Sequence, residues 1–135
     1  MKNNTDYLVN MYRQKGKTIL VGFSLGTLGA LEITSKVNVD KLILISPSAI
    51  YFDSHFSKKE MGEFVKSYDK TLSYYLKPII DQKDIVIYYG EKEHEKIKAT
   101  ADKMAKYLGI EAKEVKGVGH TPSLIKKVLK IEEVK

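Results

Sequence analysis

The 135-residue chain contains no cysteine, which excludes disulfide bonds and zinc sites built from thiolates. This composition suits a reducing compartment, so we expect a cytoplasmic protein. No apolar run approaches the roughly 20 residues that a membrane-spanning helix needs, and the polar residues 1–6 do not resemble a secretory signal peptide. We therefore expect no membrane partner.

Arginine is nearly absent, since Arg13 is the only one among 23 basic residues. Phosphate and base recognition usually recruits arginine because its guanidinium can form two parallel hydrogen bonds. The lysines are scattered or alternate with acids, as in residues 91–96, and the net charge is only +6. We interpret this charge as a solvated surface and expect no nucleic-acid partner.

The most informative segment is residues 17–29, in which an apolar run leads into Gly22-Phe23-Ser24-Leu25-Gly26. A G-x-S-x-G sequence between a strand and a helix lifts the serine hydroxyl clear of the sheet edge. Glycine is needed on either side because the chain reverses tightly there. The segment has neither the Gly-Lys-Ser/Thr of a phosphate loop nor the glycine spacing of a dinucleotide site. It therefore predicts a nucleophilic serine and no cofactor; an idle serine in a glycine-rich turn is the alternative.

The remaining pattern alternates strands with helices, which indicates an α/β fold with a parallel sheet. After a helix predicted at 6–14, near-continuous apolar runs predict strands at 17–22, 41–46 and 84–89. Residues 111–116 alternate polar and apolar side chains, which predicts a fourth strand at an edge of the sheet. Helices are predicted at 24–36, 94–108 and 122–130. We expect one domain over residues 1–135, with about four parallel strands and helices on both faces of the sheet.

Residues 49–82 are too many for a simple connection between strands. They are rich in tyrosine and phenylalanine, and residues 57–76 have roughly helical spacing. The segment is interpreted either as a helix that packs into the core or as a cap that covers an apolar substrate site.

A serine hydroxyl needs a neighbouring base, and three histidines are available. His120 lies in the glycine-containing loop 116–122, at the carboxyl end of a predicted strand, which in a parallel sheet is the edge where Ser24 lies. His94 begins a predicted helix and His55 belongs to the long insertion. His120 is therefore the predicted base.

The imidazole in turn needs a carboxylate that fixes its tautomer. Glu93 in the loop 89–94 is the predicted acid, and Glu91 is the alternative. Both could instead be surface acids at the start of a helix, where negative charge is favourable. The backbone N–H of Leu25, at the head of the predicted helix, is the expected oxyanion donor.

The order of these motifs resembles the α/β-hydrolase superfamily from residue 6 onward. The matching segments are the elbow at 22–26, the strand end at 45–47, the acid loop at 90–93 and the histidine loop at 117–120. The resemblance implies that Ser24 is the nucleophile, His120 the base and Glu93 the acid, although aspartate is more frequent in the family at the last position. No metal or organic cofactor is implied.

The chain departs from the family by beginning about one helix before the nucleophile strand, so that it is similar to the C-terminal half of a hydrolase. In the family, several further strands come before the nucleophile strand, and a loop among them supplies a second oxyanion donor. Without those strands, strand 17–22 would lie at an open sheet edge, which invites pairing with another chain. We therefore expect a homodimer or a partner subunit at residues 17–22; an N-terminal helix over the edge is the alternative.

The function that follows is a serine hydrolase that cleaves a small acyl ester or thioester through an acyl-serine intermediate. The alternative is a non-catalytic hydrolase-fold remnant that serves as a binding or structural subunit. A nucleotide-binding flavodoxin-like module rests only on the alternation of strands and helices.

Overall fold

The structure, a computed structural model, describes residues 7–24, 26–47, 76–81 and 84–135. Within these ranges the elements, in chain order, are β1 (Tyr7–Gln14), β2 (Lys17–Ser24), α1 (Gly26–Lys36), β3 (Lys41–Ile45), a 3₁₀-helix (Lys77–Ile79), β4 (Ile85–Gly90), α2 (Glu95–Leu108), β5 (Ala112–Val115) and α3 (Pro122–Ile131). None of the helices described is both long enough and apolar enough to cross a bilayer.

The described strands form one mixed sheet in the order β1-β2-β3-β4-β5. Strands β2 to β5 pair in parallel, whereas β1 pairs antiparallel with β2. The chain is therefore α/β, but the expected four-stranded parallel sheet is wrong because a fifth, antiparallel strand completes it. Among the described strands, the expected position of 111–116 at an edge is confirmed, since β5 is the last strand in the sheet order.

The helix predicted at 6–14 is wrong, because residues Tyr7–Gln14 form the strand β1. Gln14 pairs with Lys17, so the hairpin loop consists of two residues only. Those residues, Lys15 and Gly16, have φ angles of 53° and 76°. Positive φ at both positions is typical of the type I′ turn, whose twist suits two antiparallel strands. The Lys-Gly pair was the overlooked sequence signal.

Strand β1 also changes the prediction for residues 17–22, which are paired on both sides and do not form an open edge. The side-chain amide of Gln14 fastens the hairpin to the end of the chain. It donates to the Glu133 carbonyl at 2.8 Å and accepts from the Lys135 N–H at 2.8 Å. The physical reason for a partner chain at 17–22 is thereby removed.

Alternating residues of the strands feed two separate apolar clusters. One cluster joins Leu20, Leu42, Leu44 and Ile87 to buried residues of α1 and α2. The other joins side chains of β2, β3 and β4 to α3, and its members include Val21, Phe23, Ile43, Ile45, Tyr88, Leu124 and Val128. The continuous apolar runs of the sequence thus correspond to strands that are buried on both faces.

The helices predicted at 24–36, 94–108 and 122–130 are confirmed within two residues at each end. Of the segment 49–82, residues 49–75 and 82 lie outside the described ranges, so the core-packing helix and the cap both stay predictions. Its described end contributes Leu76 and Ile79, both buried, to the cluster shared with α1 and α2.

A largely buried ion pair ties the end of α3 to the sheet. Glu132 accepts hydrogen bonds from the Lys41 ammonium, at 2.6 Å, and from the Tyr88 hydroxyl. Burial alone would raise the pKa of Glu132, but the bonds from Lys41 and Tyr88 outweigh burial and lower that pKa below its usual value. Burial, followed by the bond to Glu132, raises the pKa of Tyr88. At neutral pH the cluster therefore holds one carboxylate, one ammonium and one neutral phenol.

Glu132→Gln is expected to lower the free energy of unfolding by about 1–3 kcal/mol near neutral pH, because Lys41 loses a charged partner. Since the folded-state pKa is depressed, the carboxylate stabilises the fold above its unfolded pKa of 4.5 and stops doing so as pH falls through the folded value. Urea denaturation near neutral pH and in acid, well below 4.5, should thus show a difference that shrinks in acid. Glu133→Gln, at the exposed neighbour, is the control; an equal loss at both pH values would contradict the assignment.

Candidate active site

Ser24 occupies a strained turn at the end of β2, two residues before α1 begins. Its φ is +59°, a conformation that residues with a side chain adopt infrequently and that is concentrated at functional sites. The side chain of Thr27 stabilises the turn by donating to the Ser24 carbonyl at 2.8 Å. The N-terminal end of α1 also places the positive end of a helix dipole beside the hydroxyl. This is the geometry that the G-x-S-x-G motif predicts.

Gly22 permits this turn because α1 passes directly over it. A Cβ at residue 22 would lie 2.7 Å from the Gly26 carbonyl oxygen and 2.8 Å from the Ala30 Cβ. Both distances are below ordinary contact, so any side chain would displace α1 relative to β2. The predicted need for glycine before the serine is confirmed at this position.

His120 reaches Ser24 from the loop that follows β5. Its Nε2 lies 3.0 Å from the Ser24 Oγ, within hydrogen-bond distance. The imidazole also stacks on the buried ring of Phe23, with ring centroids 4.8 Å apart and planes inclined by 26°. The ring is thus fixed by an apolar contact on one face and by hydrogen bonds at its edges.

Glu93 is the carboxylate partner of His120, through a hydrogen bond between Glu93 Oε1 and His120 Nδ1. Its side chain is completely buried. The other oxygen, Oε2, accepts from the Gly90 N–H and from the Ser46 hydroxyl, both at 2.6 Å. The two carboxylate oxygens therefore have separate partners, one facing the imidazole and the other facing the protein.

The alternatives for base and acid lie elsewhere. Glu91 accepts from the Gly117 N–H at 2.9 Å, and this bond, followed by the charge of Lys116, lowers the pKa of Glu91 below its usual value. His94 caps α2, where its Nδ1 accepts from the Lys96 N–H at 3.1 Å. Neither side chain is bonded to the Ser24–His120 pair. His55 and Leu25, the predicted oxyanion donor, lie outside the described residues.

Backbone hydrogen bonds hold the acid loop against the histidine loop. Glu91 N–H donates to the Val115 carbonyl at 2.8 Å, and Lys92 N–H donates to the Val118 carbonyl at 2.9 Å. Gly90 allows this approach, because a Cβ there would overlap the Val118 carbonyl oxygen and lie 3.2 Å from that of Gly119. The separation of Glu93 and His120 is thus set by the backbone.

Gly90→Ala is expected to lower the free energy of unfolding by about 1–3 kcal/mol, because the new methyl must push the histidine loop away. The same displacement should increase the distance between His120 and Ser24, and should therefore slow covalent modification of the Ser24 hydroxyl by a serine-directed reagent. Gly119→Ala is the matched control, since its Cβ would come no closer than 3.7 Å to Lys92. Urea denaturation of both variants checks the prediction, and equal stabilities would contradict it.

Comparison with protein-family models, curated proteins and solved structures gave no match to this chain. Within the described ranges, no group of three histidine, aspartate or glutamate side chains is arranged to hold a metal ion.

Two residues of the site were not singled out as site residues from the sequence, namely Phe23 and Ser46. Phe23 stacks on His120, and it occupies the first variable position of the G-x-S-x-G motif. Ser46 follows β3, the strand between those that end at Ser24 and Gly90. A polar residue at the carboxyl end of a central parallel strand was the signal for Ser46.

Proposed function

We propose that this chain is a serine hydrolase that cleaves a small acyl ester or thioester. The observation that carries the proposal is the continuous line of hydrogen bonds from Ser24 through His120 to Glu93. These three side chains come from separate loops, 27 to 96 residues apart in sequence. The strained φ of Ser24 supports the same interpretation, because such strain persists only where the surrounding structure maintains it.

The first half of the reaction forms the acyl-serine. Nε2 of His120 accepts the Ser24 proton as the oxygen attacks the substrate carbonyl carbon, and the resulting imidazolium is stabilised by Glu93. The tetrahedral intermediate then collapses, the bond to the alcohol or thiol breaks, and His120 returns the proton to the leaving group. Ser24 is left carrying the acyl group as an ester.

The second half of the reaction releases the carboxylic acid product. His120 takes a proton from water, the hydroxide oxygen attacks the acyl carbon, and the proton passes to the Ser24 oxygen as it leaves. We assign one oxyanion donor to the Leu25 backbone N–H, since it would open the helix that follows the nucleophile. Every step uses protein side chains and water, so the proposal includes no cofactor, and we place the reaction in the cytoplasm.

The substrate class depends on a weaker argument. Serine as nucleophile and histidine as base suit acyl transfer. In that reaction the serine oxygen attacks the carbonyl carbon of the substrate while its proton passes to the histidine. The aromatic residues within 49–82 are consistent with an apolar acyl or alcohol group. We therefore propose a small apolar ester or thioester.

Labelling with a fluorophosphonate tests the proposed function, because this reagent reacts with activated serines. The expected result is one adduct per chain by intact mass, located on Ser24 by peptide mapping. Ser24→Ala should not be labelled, whereas Ser35→Ala should be labelled like the wild type, since the Ser35 hydroxyl donates to the Glu32 carbonyl on the exposed part of α1. A folded wild-type chain that takes no label, or takes it at another residue, would contradict the proposal.

The non-catalytic subunit is less well supported. That alternative takes this chain as a remnant that completes another polypeptide, whereas Ser24, His120 and Glu93 form one line of hydrogen bonds within this chain. Labelling of Ser24 only after a partner is added would favour it.

A further inference from the structure

Ser46 is a buried hydroxyl that the reaction above does not use. It follows β3, which lies between β2 and β4, and it is completely inaccessible to solvent. Its N–H donates to the Tyr88 carbonyl at 2.7 Å, and its hydroxyl donates to Glu93 Oε2 at 2.6 Å. The side chain therefore touches the acid of the site without touching Ser24 or His120 through any described bond.

We propose that Ser46 is a positioning residue of this active site, acting through Glu93. The inference rests on the proposed function. Together with the Gly90 N–H, the hydroxyl holds Oε2, so that Oε1 remains directed at Nδ1 of His120. Ser46 thus extends the line of hydrogen bonds to four side chains.

The physical need for a second donor follows from the carboxylate itself. The terminal torsion of a glutamate is soft and broad, so a second donor on Oε2 narrows the range of carboxylate orientations that the Gly90 bond alone would allow. Two donors on one oxygen define the carboxylate plane. Because Glu93 is completely buried, each bond to its charge also offsets the cost of removing it from water.

The backbone conformation at residue 46 indicates that serine is present there because of its hydroxyl. Its φ is +50°, in the left-handed region that glycine and asparagine adopt most readily. Serine has no conformational advantage there. Its hydroxyl, however, is within bonding distance of Glu93, and glycine offers no such group.

Two variants separate the hydroxyl from the backbone. Ser46→Ala and Ser46→Gly both remove the donor, but only glycine relaxes the positive φ, so Ser46→Gly should be the more stable of the two in urea. If the hydroxyl positions Glu93, both variants should lose kcat on p-nitrophenyl acetate by about 10- to 100-fold with KM unchanged. A loss of kcat that follows the order of stability would overturn the proposal.

A double-mutant cycle shows whether Ser46 acts through Glu93. In a Glu93→Gln background, adding Ser46→Gly should lower kcat further by less than about threefold, because the carboxylate that Ser46 orients has already been removed. If the two substitutions lower kcat independently, so that their fold-losses multiply, the proposal is overturned. Ser35→Ala, alone and in the same background, is the control that should leave kcat unchanged.

Proton NMR gives a readout that needs no turnover. The His120 Nδ1 proton, bonded to Glu93, should give a strongly downfield signal that moves upfield or broadens in Ser46→Gly. An unchanged signal would overturn the positioning role. If the wild type takes no fluorophosphonate, the proposed function fails, whereas the NMR comparison still decides whether Ser46 orients the Glu93–His120 pair.

Discussion

Ser24→Ala is expected to reduce ester hydrolysis by about 10⁴- to 10⁶-fold, because it removes the hydroxyl that is proposed to form the covalent intermediate. The hydroxyl lies 3.0 Å from the only imidazole that the described structure brings to it. Initial rates on p-nitrophenyl acetate, with purified protein and matched circular dichroism spectra, measure the loss. A variant that retains more than a tenth of the wild-type rate would exclude Ser24 as the nucleophile.

A second substitution at this position separates chemistry from strain. Ser24→Gly should be equally inactive, yet it should unfold at a higher urea concentration than Ser24→Ala, because glycine adopts a φ of +59° without steric cost. If glycine gives no gain over alanine, the elbow is not strained. Ser35→Ala remains the control for both measurements.

Glu93→Gln is expected to lower kcat by about 10⁴-fold while leaving the fold intact. The amide oxygen can replace Oε2, which accepts from Gly90 and Ser46, and the amide NH₂ then faces His120. Nδ1 must accept that bond, so the imidazole proton moves to Nε2. An Nε2 that already carries a proton cannot take one from Ser24.

Glu91→Gln is the matched control for this prediction. It makes the same chemical change two residues away, on a carboxylate that bonds Gly117 and not His120. The hydrolysis rate should stay within about threefold of the wild type, as for an exposed substitution away from the reacting groups. A large loss in Glu91→Gln, with little loss in Glu93→Gln, would reverse the assignment of the acid.

The hairpin at the beginning of the described residues changes the expectation for strand 17–22. From the sequence, this strand was expected to lie at an open edge, covered by a partner chain or by an N-terminal helix. In the structure the covering strand comes from residues Tyr7–Gln14 and runs antiparallel. The outer edge of the sheet is now β1, where Met11 and Arg13 are exposed, and a charged side chain at an edge discourages pairing with other chains.

The error at residues 6–14 has a specific cause. The segment mixes polar and apolar residues without strong periodicity, so its own pattern does not distinguish a helix from a strand. The deciding information lay just beyond it, in the Lys15–Gly16 turn, and in the pairing with β2 that the turn allows. Pairing between strands is a tertiary interaction, so the segment alone could not reveal its own conformation.

The choice between Glu91 and Glu93 shows the same limit within the site. Both follow β4 in one short loop, and chemistry alone does not distinguish them. The close approach of Gly90 to the Val118 carbonyl, together with the hydrogen bond that Gly117 N–H donates to Glu91, turns the Glu91 carboxylate outward and leaves that of Glu93 facing inward. Both contacts join segments that are more than 25 residues apart.

The sequence by itself determined the features that depend on the order of residues close together in the chain. Apolar runs and glycine spacing identified the parallel strands, the helices and the elbow, and placed Ser24, Glu93 and His120 at one edge of the sheet, because the carboxyl ends of parallel strands coincide. Only the tertiary structure decided that β1 is a strand, that Glu93 faces His120 and that Ser46 bonds Glu93. Each of these depends on distances between residues far apart in the chain, which are set only when the elements pack.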